Sequence, residues 1–269
     1  MRADKYIFAI MVALLFVGCT NKEKQSGATK KNADITFAYV TKKVVTPIDE
    51  YADEAPKLTC DVQMQLAESS DKEIEQRINR EIIYTIFGYE NIEPECATDS
   101  FLTAIRDEYL SLRPEYYNEK AMNNSAPWFN YSYTIKSKVE RGYNGIINYT
   151  STIDTFTGGA HGSFATTMLN FDPATGEVIE LSDFFKENYE EVLIDRLIRA
   201  LIKKSGAKSF EELQEMGYLV LNDMFVTNNF VLGKEEILFH FNHYDIAPYA
   251  LGTCDLSFTY DELKDIIKD

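Results

Sequence analysis

Residues 131–154 read YSYTIKSKVERGYNGIINYTSTID, and their alternation decides the fold class. Tyr131, Tyr133, Ile135, Ser137 and Val139 fall on one side of an extended chain, and Ser132, Thr134, Lys136, Lys138 and Glu140 on the other. Successive side chains of a strand point to opposite faces, so a period of two predicts β structure with one face buried. Asn144-Gly145 is a dipeptide that tight hairpins favour, because both residues tolerate positive φ. Ile147, Tyr149, Ser151 and Ile153 share one face of the return strand. The glycine-rich corner 157–162 leads to a third strand over 164–171, and Asp172-Pro173-Ala174-Thr175-Gly176 turns into a short strand over 177–181. The stretch predicts an antiparallel meander.

Working outward, 35–45 and 58–66 carry the same strand pattern, and Ser70-Asp71-Lys72-Glu73 has the form of a capping box opening a helix. That helix has an isoleucine stripe, Ile74, Ile78, Ile82, Ile83 and Ile86, and Gly88 suits its end. A second helix is expected from Asp99 to about Arg113. Downstream, a helix begins near Asn188 with Val192, Leu193, Leu197, Ile198 and Leu201 as its buried stripe, and Ser209 caps a shorter one. A hairpin about Gly233-Lys234, a strand over 253–258 and a capped terminal helix complete the chain. Strands and helices come in blocks without regular βα alternation, so the expected class is α+β, with antiparallel sheets, packed helices and two intimately associated subdomains.

At the N-terminus, Arg2 and Lys5 precede an uncharged run, 6–17, that closes as Leu15-Phe16-Val17-Gly18-Cys19. Twelve residues are too few to span a bilayer, which takes about 20. The length is that of a signal-peptide core, and Gly18-Cys19 suits a lipoprotein cleavage site whose thiol takes the lipid. The expected organisation is a signal peptide over 1–18, a lipidated polar tether over 19–33, a companion α+β domain over 34–157 and a second α+β domain over 158–269. An exported, membrane-anchored lipoprotein follows, and Thr20 after the cysteine points to the outer membrane. The net charge is −16, or −17 once Arg2, Lys5 and Asp4 leave with the signal, so nucleic-acid phosphates are not an expected partner and a basic protein would be attracted. Cys60, Cys96 and Cys254 leave room for one disulfide at most. Cys60 and Cys254 sit in alternating runs that place them in the core, and Cys96 falls in a polar connection.

The chain has three histidines. His240 and His243 stand three apart at a strand end, which is poor spacing for a shared metal, so no metal and no cofactor are expected. His161, in the glycine-rich corner, could pair with Asp154 or Asp245, but no nucleophile elbow accompanies it. The loop 242–252 reads NHYDIAPYALG. Its His243, Tyr244, Asp245, Pro248 and Tyr249, together with His161, are the candidate binding residues, since aromatic anchors carry much interface energy. The competing expectation is that the tyrosines only pack the loop onto its sheet.

Two segments resemble a known family. One is Gly-Gly-Ala-His-Gly at 158–162 followed by Leu169-Asn170-Phe171-Asp172, Thr175-Gly176 and Leu181-Ser182-Asp183-Phe184-Phe185; the other runs from Phe230-Val231-Leu232 through Leu238 to Gly252 and on to Tyr260-Asp261-Glu262-Leu263. They are similar to the extracytoplasmic domain shared by the lysozyme-sensing anti-sigma factor RsiV and the peptidoglycan deacetylase PdaC. The resemblance implies an α+β fold and a binding role, with lysozyme or a peptidoglycan-related ligand as partner. A lipoprotein signal in place of a cytoplasmic segment argues against anti-sigma activity, and a chain ending at Asp269 leaves no expected room for a deacetylase domain. The expected function is therefore a non-catalytic envelope-binding lipoprotein. The alternatives are an enzyme acting on cell-wall glycan and a structural envelope lipoprotein without a soluble ligand.

Overall fold

The computed structural model describes residues 34–122 and 127–268; the expected signal peptide, tether and Cys19 lie outside them. The strands are β1 (Ile35–Pro47), β2 (Lys57–Ser69), β3 (Tyr131–Arg141), β4 (Ile147–Phe156), β5 (Ser163–Phe171), β6 (Phe230–Leu232), β7 (Glu236–Phe241) and β8 (Cys254–Thr259). The helices are α1 (Lys72–Phe87), α2 (Pro94–Leu110), α3 (Arg113–Ala121), α4 (Leu181–Phe184), α5 (Tyr189–Ser205), α6 (Phe210–Glu215) and α7 (Tyr260–Leu263). β1 to β5 form one sheet in sequence order, and β6 to β8 form a second. The class is α+β, as the sequence predicts.

The larger sheet is antiparallel except where β2 pairs with β3, which is parallel. Two parallel neighbours cannot be joined by a hairpin, so the segment between them must cross back over the sheet. α1, α2 and α3 make that crossover. β2 buries Leu58, Cys60, Val62 and Met64 at every second position, and α1 buries Ile74, Ile78, Ile82, Ile83 and Ile86 against the same core. A period of two meets a helical stripe, and the two faces close on each other. Removing one such isoleucine side chain would cost about 2–5 kcal/mol.

Local caps explain where helices start, with two departures from expectation. α1 is capped by Asp71 rather than Ser70: its side chain accepts from the Glu73 and Ile74 N–H groups, and Glu75 reaches back to the Ser69 N–H at 2.7 Å. α2 starts at Pro94, five residues ahead of Asp99, because a proline in the first helical turn has no N–H to lose. Cys96 therefore sits exposed on a helix, not in a connection, while Cys60 and Cys254 are buried; all three are free thiols. The expected strand at 177–181 shrinks to a single bridge between Phe171 and Val178.

The second core joins α5 to the smaller sheet through Leu193, Leu197, Leu201, Phe239, Phe241 and Leu256. Val192, expected in the α5 stripe, is 39 % exposed, since only the spacing of four from Leu193 keeps the face toward the sheet. Ser209 caps α6 by accepting from the Glu212 N–H, and Thr259 and Glu262 form a full capping box on α7.

The sheets meet along β5. Its outer backbone is satisfied by side-chain amides: Asn229 Oδ1 accepts from the Met168 N–H at 2.8 Å, and Asn242 Oδ1 accepts from the Thr166 N–H at 2.8 Å. Buried Asn170 does the same for β6, accepting from the Leu232 N–H and donating to the Phe230 carbonyl, both at 2.9 Å. The expected boundary at 157/158 falls in the β4–β5 connection, inside the larger sheet.

Candidate functional site

The corner between β4 and β5 turns on Gly158 and Gly159, with φ of 82° and 98°. A Cβ on Gly158 would come within 2.6 Å of the Trp128 carbonyl oxygen, so the close approach as well as the conformation requires glycine. The corner presents His161 to solvent, with its Nδ1 2.9 Å from the Gly162 carbonyl. That contact takes the tautomer with hydrogen on Nδ1.

The loop after β7 is tied internally and from below. Asn242 N–H donates to Asp245 Oδ2 at 2.7 Å, and Tyr244 N–H donates to the Ala247 carbonyl at 3.1 Å. Tyr244 has φ of 69°, a conformation uncommon for a non-glycine residue, and its side chain is left 53 % exposed. Ile246 is buried, and its carbonyl accepts from the Leu219 N–H at 2.8 Å. Asn222 Nδ2 donates to the Tyr244 and Asp245 carbonyls.

Corner and loop come together through Tyr249. Its ring stacks on His161 with centroids 4.1 Å apart and planes 17° apart, and on His243 at 4.4 Å and 23°. Tyr244 lies tilted beside it at 5.9 Å. Pro248 is exposed and, with Leu251, abuts Gly217. Val220 and Leu221, between the two residues Leu219 and Asn222 that hydrogen-bond to the loop, are exposed. His243 Nδ1 is buried and makes no hydrogen bond among the described residues.

The pairing of His161 with Asp154 or Asp245 does not form. His161 Nδ1 faces Gly162, and Asp245 spends its carboxylate on the Asn242 N–H inside a tight turn. Burial pushes the Asp245 carboxyl above its ordinary pKa, against the pull of the Asn242 hydrogen bond and of nearby His240. Among the described residues no group of His, Cys, Asp and Glu side chains converges as a metal site.

A polar chain that sequence reasoning missed runs beneath the loop. His240 is 5 % exposed, with Nδ1 2.6 Å from Asp255 Oδ1 and Nε2 3.3 Å from Asn242 Oδ1. Asn242 in turn donates to the Thr166 carbonyl of β5. His240 and Asp255 are directly opposed in the β7–β8 register, so the signal was a cross-strand acid–histidine pair, legible only once that register is known.

Residues 50–164 match the family model described as deacetylase PdaC, and residues 182–261 match a protein family of unknown function, DUF3298. The chain carries a DUF3298/PdaC-like domain of unknown function. A DUF3298 family member from Bacteroides fragilis NCTC 9343 superposes with a TM-score of 0.78 at 28 % identity, covering 89 % of this chain and 96 % of its own. A DUF3298 family protein from Pseudomonas aeruginosa PAO1 gives a TM-score of 0.56 at 18 % identity, covering 88 % of this chain and 96 % of its own, and shares the fold alone. No curated protein matches. The DUF3298 match takes in β6 to β8 and the loop that holds His243 and Tyr249, while His161 falls in the PdaC match. The two matches point to a cell-envelope-associated domain of unknown function.

Proposed function

We propose that this protein is a non-catalytic binding lipoprotein, anchored outside the cytoplasm through lipid on Cys19, that recognises a lysozyme-like protein or a peptidoglycan-related ligand with the surface around Tyr249. The observation that supports the reading is the His161–Tyr249–His243 stack. It gathers residues from two loops at strand ends and leaves Tyr244 and Pro248 facing solvent. Loops held by a rigid scaffold are where recognition residues concentrate. The stack fixes the central ring before any partner arrives, which lowers the entropy lost on binding. A chain of net charge −16 adds long-range attraction for a basic protein, and association should slow as salt rises.

The test is capture by the soluble protein from residue 20 onward, using lysozymes and peptidoglycan fragments as separate probes. Tyr244→Ala is the informative variant, because Tyr249 also braces two histidines. It should weaken binding by about 2 kcal/mol, roughly 30-fold, with an unchanged melting temperature. Wild-type affinity in a stably folded Tyr244→Ala variant removes the surface from consideration, and release of products from peptidoglycan would replace binding with catalysis. Fatty-acid labelling of wild type but not of Cys19→Ala tests the anchor.

A further inference from the structure

A groove of about 580 Å³ runs between α5 and β8 and shares no residue with the Tyr249 surface. Its α5 wall carries Arg196, Arg199, Lys203 and Lys204, a concentration of positive charge on a chain of net charge −16. Its two carboxylates are already engaged: Asp255 faces His240, and Glu262 caps Thr259. Arg196 is engaged as well, donating to Asp265 at 2.6 Å. Among the described residues Arg199 pairs only along its own helix, with Asp195, and its side chain is 77 % exposed. Lys203 makes no ion pair among the described residues.

The floor of the groove is a sheet edge. Among the described residues β8 pairs with β7 on one side and with no strand on the other. Lys204 Nζ donates to the Asp255 carbonyl at 2.8 Å, so the backbone of residue 255 points away from β7. Backbone groups alternate sides along a strand, which places the N–H and C=O of Ser257 on the same outward side. An edge of this kind is a template for another strand.

We infer that this groove takes an extended acidic peptide, added as a strand to the free edge of β8 with its carboxylates on Arg199, Lys203 and Lys204. Main-chain hydrogen bonds to Ser257 supply register, and the cations select the sequence. The six residues of β8 set the length recognised at about 20 Å. The opposing account is that the lysines merely guard the edge against self-association, as charged residues often do.

The experiment uses the purified full-length protein and fluorescence anisotropy with a labelled octapeptide alternating Glu and Val. It should bind at least tenfold more tightly than its Lys–Val counterpart. N-methylation of alternate peptide residues, which removes strand hydrogen bonds and leaves the charge, should weaken it at least tenfold. Arg199→Glu combined with Lys203→Glu should do the same at an unchanged melting temperature. Tyr244→Ala should bind the peptide as wild type does, which separates this site from the Tyr249 surface. Undiminished binding of the N-methylated peptide, or equal binding of polyphosphate at matched charge, overturns strand addition in favour of a plain anion site. No binding at millimolar peptide overturns it in favour of guarding.

Discussion

β5 and β8 each end a sheet, and the chain treats them in opposite ways. The outward backbone of β5 is covered by the amides of Asn229 and Asn242, whose oxygens accept and whose nitrogens donate, so both kinds of backbone group are met. Among the described residues the outward backbone of β8 receives one flexible lysine, at the Asp255 carbonyl. An amide side chain imitates the peptide group it replaces, and a set of them makes a permanent seam. An ammonium supplies donors only, on a long stem that moves aside readily. The contrast separates a junction that holds the fold together from an edge left accessible.

The sharpest way to break this comparison is Asn170→Ala. Asn170 is 1 % exposed and serves the Leu232 N–H, the Phe230 carbonyl and the Asn148 amide. Alanine would leave three buried polar groups without partners, at roughly 1–3 kcal/mol each before relaxation. The expected loss is about 4 kcal/mol, read by urea unfolding followed through Trp128, the single tryptophan. A loss under about 1 kcal/mol would mean that water replaces the amide and the seam is not structural.

How much of this was visible beforehand depended on range. Period-two alternation placed Cys60 and Cys254 in the core, and the structure buries both. The isoleucine stripe of α1 was legible for the same reason: local geometry alone decides which side chains share a face. Partner choice between distant strands was not legible. Asn170 and Asn229 look like ordinary polar strand and turn residues until β5 and β6 are side by side. The parallel β2–β3 pair was hidden because the intervening helices could have crossed to either edge of the sheet. The candidate site was half visible. Residue types named its loops, but that Tyr249 stands between two imidazoles, and that Asp245 turns inward to its own loop, depends on backbone paths no spacing rule encodes.

A smaller effect, opposite in sign for two substitutions, is expected at Asp245. Burial raises its folded pKa above the unfolded value of about 3.9. A carboxyl with a raised folded pKa holds its proton more tightly when folded. Its contribution is therefore most favourable below the unfolded pKa and declines as pH rises through the folded one. Asp245→Asn keeps an oxygen for the Asn242 N–H and has no charge to bury, so at pH 7.5 it should melt at or above the wild-type temperature, with the gap closing toward pH 4. Asp245→Ala removes the acceptor and should cost about 1 kcal/mol at either pH. An asparagine variant less stable than wild type at pH 7.5 would show that attraction to His240 outweighs burial.

The smallest expected effect lies at β8 and completes the contrast with Asn170. Lys204→Met removes the one side-chain donor at the Asp255 carbonyl and retains most of the aliphatic stem. The carbonyl sits at an open edge beside solvent, so water can take the vacated position, and an exposed charged contact contributes little. The stability change should stay within about 0.5 kcal/mol. What should change is self-association: an edge with one cation fewer is less protected against pairing with a second copy. Sedimentation of the variant at high protein concentration should show a larger dimer fraction than wild type. If Lys204→Met instead destabilises the chain as Asn170→Ala does, the lysine is part of the fold in the way the asparagines are. The distinction between a sealed edge and an available one would then collapse.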